Sequence, residues 1–599
     1  MPCSAAEFLA VSQLVGSNAT ATTICGSYAV TDMGGSTSAV LAWTVSQLQG
    51  VREQLADTTQ ALAESSYGLN TLFVLISAAL VFMMQLGFAM FVAGTVRSKN
   101  ISSILMKSFI DTCITAVGFY TVGYGFARGH EGPSNGFIGD DDFALSRTTA
   151  QPSGEHRWDL WLWEWVFCAA SATIMAGAVA ERGTFISYTV WIAFYSMFVY
   201  PVVAYWHWNE RGWLSAANNK TPILGMGAID FAGSGVVHTQ GGFASLVAAI
   251  MLGPRIGRYG EGVNTRMYKG GHNPPYYLLG TFFLWLGWYG FNPGSTLDLQ
   301  TFSSADIAAR TAVTTTLSAG SGGIVALLLV YWRTRTWDMF SMCTGVLGGL
   351  VAITGGCSVV EPWAAVLCGS LSAPWVVLGD DLMDRLQIDD PCQAFPMHGM
   401  AGIWGMLFVG LLGKESYIVQ VYGKPSGKNL MGLFYGGHGQ LLLCQFIAVV
   451  VVIAWVCFWS GLFFWTMKKL GLLRVHMADE AVGLDASAMA DHHAAGVTAL
   501  TTKFDQSQPK TQLALQLQQA VMANGSRTGS MKAPIPNPLW DKDGAAASDS
   551  APPPASNQGL QLPSVTASRA TAPGVAPLGA QALYPAAALS HDPAFGSSH

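Results

Sequence analysis

Charge is scarce in this chain. Of its 599 residues only 11% are Asp, Glu, Lys or Arg, while 51% are hydrophobic. That scarcity excludes a large soluble enzyme and gives a membrane composition. Acids (36) and bases (30) nearly balance, and no basic block offers a footprint for nucleic acid. The ten cysteines include no Cys-x-x-Cys and no Cys/His spacing suited to zinc, so neither a metal site nor a disulfide framework is expected. Most of them (Cys113, Cys168, Cys343, Cys357, Cys368, Cys444, Cys457) fall in apolar stretches, where a thiol behaves as a small hydrophobe. His-Glu-x-x-His and Gly-x-Ser-x-Gly are missing, and no cofactor is expected. The opening residues lack a basic n-region with a compact apolar core. The first basic residue is Arg52, so neither a secretory signal nor an Arg-rich transit peptide is read there.

What the chain does have is long stretches without charge. They run between Glu64 and Arg97, Asp111 and Arg128, Glu164 and Glu181, Arg182 and Glu210, Asp230 and Arg255, and Lys269 and Asp298. Five more follow: Arg310 to Arg333, Asp338 to Glu361, Glu361 to Asp380, Asp390 to Lys414, and Lys428 to Lys468. Most hold the roughly 17–25 apolar residues of a bilayer-crossing helix. The expected fold is therefore an all-α polytopic membrane protein of eleven transmembrane helices. Alternate loops carry the excess of Arg and Lys: Arg97 and Lys99, Arg182, Arg255 to Lys269, Arg333 and Arg335, Arg385, then Lys468 to Arg474. The positive-inside bias puts the N-terminus outside and the C-terminus in the cytoplasm.

Four parts follow along the chain: an outer Ser/Thr/Ala-rich segment 1–66, a membrane domain 67–470, a cytoplasmic tail 471–505 mixing acidic and apolar residues, and a tail 506–599. The last is rich in Gln, Ala, Pro and Ser, which leaves too little apolar surface to fold alone, and disorder is expected. Asn18-Ala-Thr and Asn219-Lys-Thr fit the glycosylation pattern and fall on the outer side.

Two histidines lie inside apolar stretches, and each follows an aspartate by eight residues. One copy reads Asp230-Phe-Ala-Gly-Ser-Gly-Val-Val-His238, the other Asp390-Pro-Cys-Gln-Ala-Phe-Pro-Met-His398, and Gly242 and Gly402 stand twelve residues after each aspartate. The copies fall in the fifth and tenth helices. A five-helix unit repeated after five more helices takes the opposite membrane orientation, the inverted repeat that places a site near the midplane. Ionisable groups in a membrane mark pathways. Neutral imidazoles, each with one donor and one acceptor nitrogen, would line a path for a small polar solute.

The aspartates read differently from each other. Asp390 precedes Pro391, the pattern of an N-cap with proline at the first helical position. Asp230 sits in a glycine-interrupted helix start, where its carboxylate would stabilise a cation without touching it. Tyr205, Trp206 and Trp208 cluster at the outer end of the fourth helix, and Trp163, Glu164, Trp165 and Phe167 open the third. Most such aromatics form interface belts, while a subset facing a vestibule would hold a small cation by cation–π contact. The sixth helix ends Gly287-Trp-Tyr-Gly-Phe291-Asn-Pro-Gly-Ser295, a broken end that presents the Ser295 hydroxyl at the outer mouth.

With Ala178-Val-Ala-Glu-Arg182 and Ile353-Thr-Gly-Gly-Cys-Ser-Val-Val-Glu-Pro-Trp-Ala-Ala365 added, the chain resembles the ammonium transporter (Amt/Mep/Rh) family, its plant and algal branch above all, over about residues 69–487. The resemblance implies a homotrimer of eleven-helix protomers set in lipid, each with its own pore for ammonium or ammonia, most simply in a plasma membrane. It implies substrate recruitment at Trp208 and Ser295 with Trp163 at the rim, a stacked gate of Phe167 and Phe291, a supporting acid at Asp230, and pore histidines at His238 and His398. One departure stands out: Glu164 occupies a position where the family usually has glutamine, and an extra carboxylate at the mouth is expected to concentrate cations. The tail resembles the family's regulatory segment up to Gly483-Leu-Asp-Ala-Ser487, which makes Ser487 a candidate phosphosite for a kinase.

The expected function is ammonium transport, with ammonia crossing a dry lumen while the proton moves separately. Two rivals are open to test: an ammonium sensor that signals through its cytoplasmic tail, separated from a transporter by flux, and a membrane enzyme using the histidines as metal ligands. The enzyme lacks an inward third ligand, so no metal and no catalytic residue are expected.

Overall fold

The computed structural model describes residues 4–27, 33–129, 135–147, 158–260, 271–424 and 430–487. The chain divides into two units, Met1–Thr528 and Gly529–His599, and every described residue belongs to the first. The expected 506–599 tail and the tail beyond Ser487 lie outside the described residues.

Each charge-poor gap coincides with a helical rod: α1 Met33–Thr95, α2 Ser98–Arg128, α3 Trp158–Ala178, α4 Phe185–Trp208, α5 Ser234–Leu252 and α6 Pro274–Gly294. The series continues with α7 Phe302–Thr334, α8 Met339–Thr354, α9 Pro362–Arg385, α10 Phe395–Leu412 and α11 Gln440–Lys469. Among the described residues, nine of these are long and apolar enough to cross a membrane. The other two are α6, which is 21 residues long but less apolar and, against the expected broken end, stays helical through Gly294, and α8, which is only 16 residues long. No strand occurs among the described residues, only isolated bridges such as that between Gly183 and Arg474. The fold is all-α, as expected.

Helix starts follow local chemistry. At α6 the Asn273 side chain accepts from the Tyr276 N–H with proline in the first turn, and α7 opens on a reciprocal capping box between Thr301 and Ser304. Asp338 caps α8 through the N–H groups of Phe340 and Ser341.

The duplicated histidines sit on matching backbone. Both α5 and α10 begin with a six-residue π-helical turn, Ser234–Thr239 and Phe395–Met400, the wide turn often found at functional sites. Here the two helices cross at backbone contact. A Cβ on Gly242 would lie 2.1 Å from the Gly399 nitrogen, and one on Gly402 would lie 2.6 Å from the Ser234 oxygen. The two glycines thus serve the same purpose in opposite halves, close approach of helix axes in a membrane.

Two features of the N-terminal part are not read from the gaps in charge. The expected boundary at residue 66 falls in the middle of α1, which runs unbroken for 63 residues, far beyond the roughly 20 needed for a span. Cys25 is disulfide-bonded, whereas, among the described residues, Cys113, Cys168, Cys343, Cys357, Cys368, Cys392, Cys444 and Cys457 are free. The physical reason is position: Cys25 belongs to a short helix in the Ser/Thr-rich extension, not to an apolar span.

Candidate functional site

Helix ends α3, α4 and α6 and the loop before α5 converge on a vestibule of about 410 Å³ at one end of the bundle, lined by Trp163, Glu164, Phe167, Trp208, Asp230 and Ser295 among others. Trp208 commits its indole N–H to the Asp230 backbone oxygen at 2.8 Å, which leaves only the ring surface for a solute. The Ser295 hydroxyl donates to the Phe291 oxygen at 2.8 Å, so its own oxygen keeps lone pairs for a donor in the vestibule.

Glu164 is not a free charge at this mouth. It is 1% exposed and ion-paired with Arg128, whose Nε lies 2.9 Å from Oε1, while Oε2 has no protein partner. The carboxylate reaches the vestibule as half of an ion pair, so the expected gain in local cation concentration is largely cancelled. In the sequence Arg128 is legible only as an outer-loop charge; nothing in the spacing ties it to a residue 36 positions away.

Asp230, at the edge of the vestibule, is occupied by backbone. Its carboxylate accepts from the N–H groups of Gly233 (3.1 Å), Gly235 (2.9 Å) and Val236 (2.9 Å), and so caps α5. Asp390 mirrors it, with Oδ2 accepting from Phe395 N–H at 2.8 Å. The two aspartates therefore share one role, each holding the wide first turn that carries the histidine following it. Gln445 of α11 secures the same loop, accepting from Ile229 N–H at 2.7 Å and donating to the oxygens of Ile229 and Met406.

Beneath the vestibule, Phe167 and Phe291 stack with centroids 4.0 Å apart and planes 22° from parallel, both buried. Rings this close are in van der Waals contact, and no file of water passes without their movement. Next comes His238, 5.6 Å from Phe291 and stacked on Trp288 at 5.2 Å. Sequence spacing does not single out Trp288; its N–H is fixed by Thr354 at 2.9 Å, which makes it a rigid backing for the imidazole.

His238 Nδ1 lies 3.1 Å from His398 Nδ1, with ring planes 21° apart. Two nitrogens at that distance share one hydrogen. The ring that donates through Nδ1 is protonated there, and the ring that accepts carries its hydrogen on Nε2 if both are neutral. The Nε2 of His238 has no protein partner. Below His398 lies a narrow apolar cavity lined by Phe88, Phe91, Leu284, Leu347 and Met397, and Cys392 borders both this cavity and a second one of about 220 Å³. Shared residues thus link the vestibule, the ring pair, the imidazole pair and the second cavity in series.

The end of the bundle opposite the vestibule is tied by charge. Arg255 bridges Glu181 (2.7 Å) and Asp389 (2.8 Å), all three with side chains no more than 3% exposed. Burial alone would raise both carboxyl groups, but Arg255, helped by Arg182 at Asp389 and Arg97 at Glu181, holds them below the usual carboxylate range. The tail docks beside this cluster. Asp485 accepts from the N–H groups of Ser102 (3.0 Å) and Ser103 (2.8 Å) at the start of α2, and Asn100 links Leu484 N–H to Glu181. Ser487 is exposed, its hydroxyl bonded to the Gly483 oxygen at 3.2 Å. Asn18 and Asn219 are exposed as well. Among the described residues no cluster of three or more His, Cys, Asp or Glu could hold a metal.

The family model described as Ammonium Transporter Family matches residues 72–494. The chain is 43% identical over 432 residues to ammonium transporter 1 member 3 of Solanum lycopersicum, covering 70% of this chain and 91% of that one. It is 44% identical over 406 residues to ammonium transporter 1 member 1 of Oryza sativa subsp. japonica, covering 66% and 80%. Among solved structures, a protein named Sensor Amt Protein superposes with a TM-score of 0.63 at 34% identity, over 72% of this chain and all of that one. Candida albicans Mep2 superposes with a TM-score of 0.60 at 28% identity, over 68% and 87%. On the match to its family model and these relatives, the chain belongs to the Ammonium Transporter Family, integral membrane proteins.

Proposed function

We propose that this chain carries ammonium across a membrane, recruiting NH4+ at the outer vestibule and passing ammonia and the proton separately through the imidazole pair. The observation that carries this reading is the 3.1 Å Nδ1···Nδ1 contact beneath the stacked phenylalanines. The Trp208 face offers a cation–π contact worth up to about 2 kcal/mol when desolvated, and the Ser295 oxygen accepts one of the four ammonium N–H groups. Beyond the gate a full charge would meet a cost of about 2.5–3.5 kcal/mol even on the mildest scale. Ammonia needs only a donor and an acceptor, which the two Nε2 atoms supply.

Proton balance follows from the shared hydrogen. If His238 donates through Nδ1, its Nε2 accepts a proton arriving from the gate. The shared hydrogen then moves to His398 Nδ1, and His398 releases its Nε2 proton toward the inner cavity. K+ has no proton to give up, so it is excluded. Eleven crossings, a homotrimer, an outer N-terminus, a plasma-membrane location and a tail regulated by a kinase at Ser487 belong to the same proposal.

Voltage-clamp recording tests it, with ammonium varied at fixed pH. Wild type is expected to give saturating ammonium currents and none with K+, and His238→Ala to lose that discrimination or the current. K+ passing as readily as ammonium in wild type overturns the mechanism. A sensor is the second reading, favoured by the docked tail and by the name of one structural relative, Sensor Amt Protein; ammonium binding without flux would establish it instead.

A further inference from the structure

The first half of α1 stands apart from the bundle. From Val51 to Ser65 every residue is exposed, four helical turns without a buried face. A lone helix of that length is marginal in water, and Gly50 weakens it further by about 1 kcal/mol relative to alanine. Yet its sequence is patterned for a partner. Leucine recurs at every seventh position, Leu41, Leu48, Leu55, Leu62 and Leu69. Val51 and Thr58 fall between them at the alternating spacing of three and four. Leu48, Val51, Leu55 and Leu62 are 63%, 60%, 65% and 67% exposed, so one apolar stripe is uncovered.

With the leucines at heptad position a, the charges from 47 to 68 are Arg52 at e, Glu53 at f, and Asp57 and Glu64 at c. Every acid points away from the stripe, and its flanks carry a single charge per helix. Identical helices can therefore approach along it without carboxylate repulsion. Because α1 continues into the apolar bundle, copies inserted in one membrane have the same direction and the same height. Their leucine rows then meet in register at high local concentration.

We infer that the segment from Leu48 to Leu69 forms a parallel coiled coil with the same segment of other copies of this chain. Leucine at a with β-branched Val51 and Thr58 at d disfavours two strands and suits more. The inference is independent of what passes through the pore, and its failure leaves the proposed function standing.

Cysteine cross-linking of the full chain in native membranes tests it. Leu55→Cys and Leu62→Cys place thiols on the stripe, and Glu53→Cys and Gln60→Cys place them on the opposite face, with the native chain setting the baseline. Mild oxidation should raise covalent oligomers severalfold for the first pair only, in variants that retain wild-type flux. Equal cross-linking on both faces, or none at any position while all four thiols react with a maleimide, overturns it. Should Leu55→Cys fail to insert, Leu48→Cys replaces it.

Discussion

Glu164 shows how a neighbour can reverse what a residue says alone. As a carboxylate at the mouth of a cation path it reads as an attractor, but it lies buried against Arg128. Glu164→Gln removes the negative half and leaves Arg128 facing the vestibule, a net change of one positive charge. The expected result is weaker recruitment, by on the order of 1 kcal/mol or roughly fivefold in half-saturating ammonium. The loss should shrink in high salt, where exposed charges are screened. Electrophysiological titration at two ionic strengths checks it, and an unchanged or lower half-saturating concentration contradicts the pairing. His238, His398, Trp208 and Ser295 are legible in the sequence because motif and duplication mark them. Arg128 and Trp288 are not, since their roles depend on contacts across elements that no spacing encodes.

At the scale of elements, the ends of α3, α5 and α10 opposite the vestibule are joined through Arg255. Arg255→Met leaves the buried carboxylates of Glu181 and Asp389 without their shared partner, a loss of about 3–5 kcal/mol for a broken buried pair. The pH dependence has a definite sign. Both carboxyl groups are held below their ordinary values, so their contribution is complete above the unfolded value near 4 and is lost as pH falls through the lower native values. The difference in thermal midpoint between wild type and Arg255→Met in detergent should therefore be full from pH 7 down to about 4 and narrow as the pH falls below 4. A difference that stays constant below pH 4 would place the effect elsewhere. The rods themselves are readable from gaps in charge, because lipid leaves an apolar helix few alternatives. The wide turns at α5 and α10 are not: each depends on an aspartate accepting N–H groups three to six residues ahead, which looks in sequence like an ordinary cap. The seven-residue leucine repeat of α1 is present in the letters, but Ser, Thr and Ala around it mask the period.

Across the whole molecule, the tail is fastened to the start of α2 by the Asp485 carboxylate together with Lys99 and Asn100. Asp485→Ala frees the Ser102 and Ser103 N–H groups at a loss of about 1 kcal/mol, typical of a removed cap. Limited proteolysis in detergent should then cut near 477–487 faster than in wild type, with the membrane domain intact. Unchanged cleavage means that the Asn100 and Glu480 contacts hold the tail without it.

The glycine crossing of α5 over α10 has a consequence for how a solute travels. Where two backbones touch, the halves have no slack to rock against each other as moving gates do. On the proposed function, traffic would depend on small swings of phenyl and imidazole rings inside a stationary frame, closer to the turning of a valve than to the swing of a door.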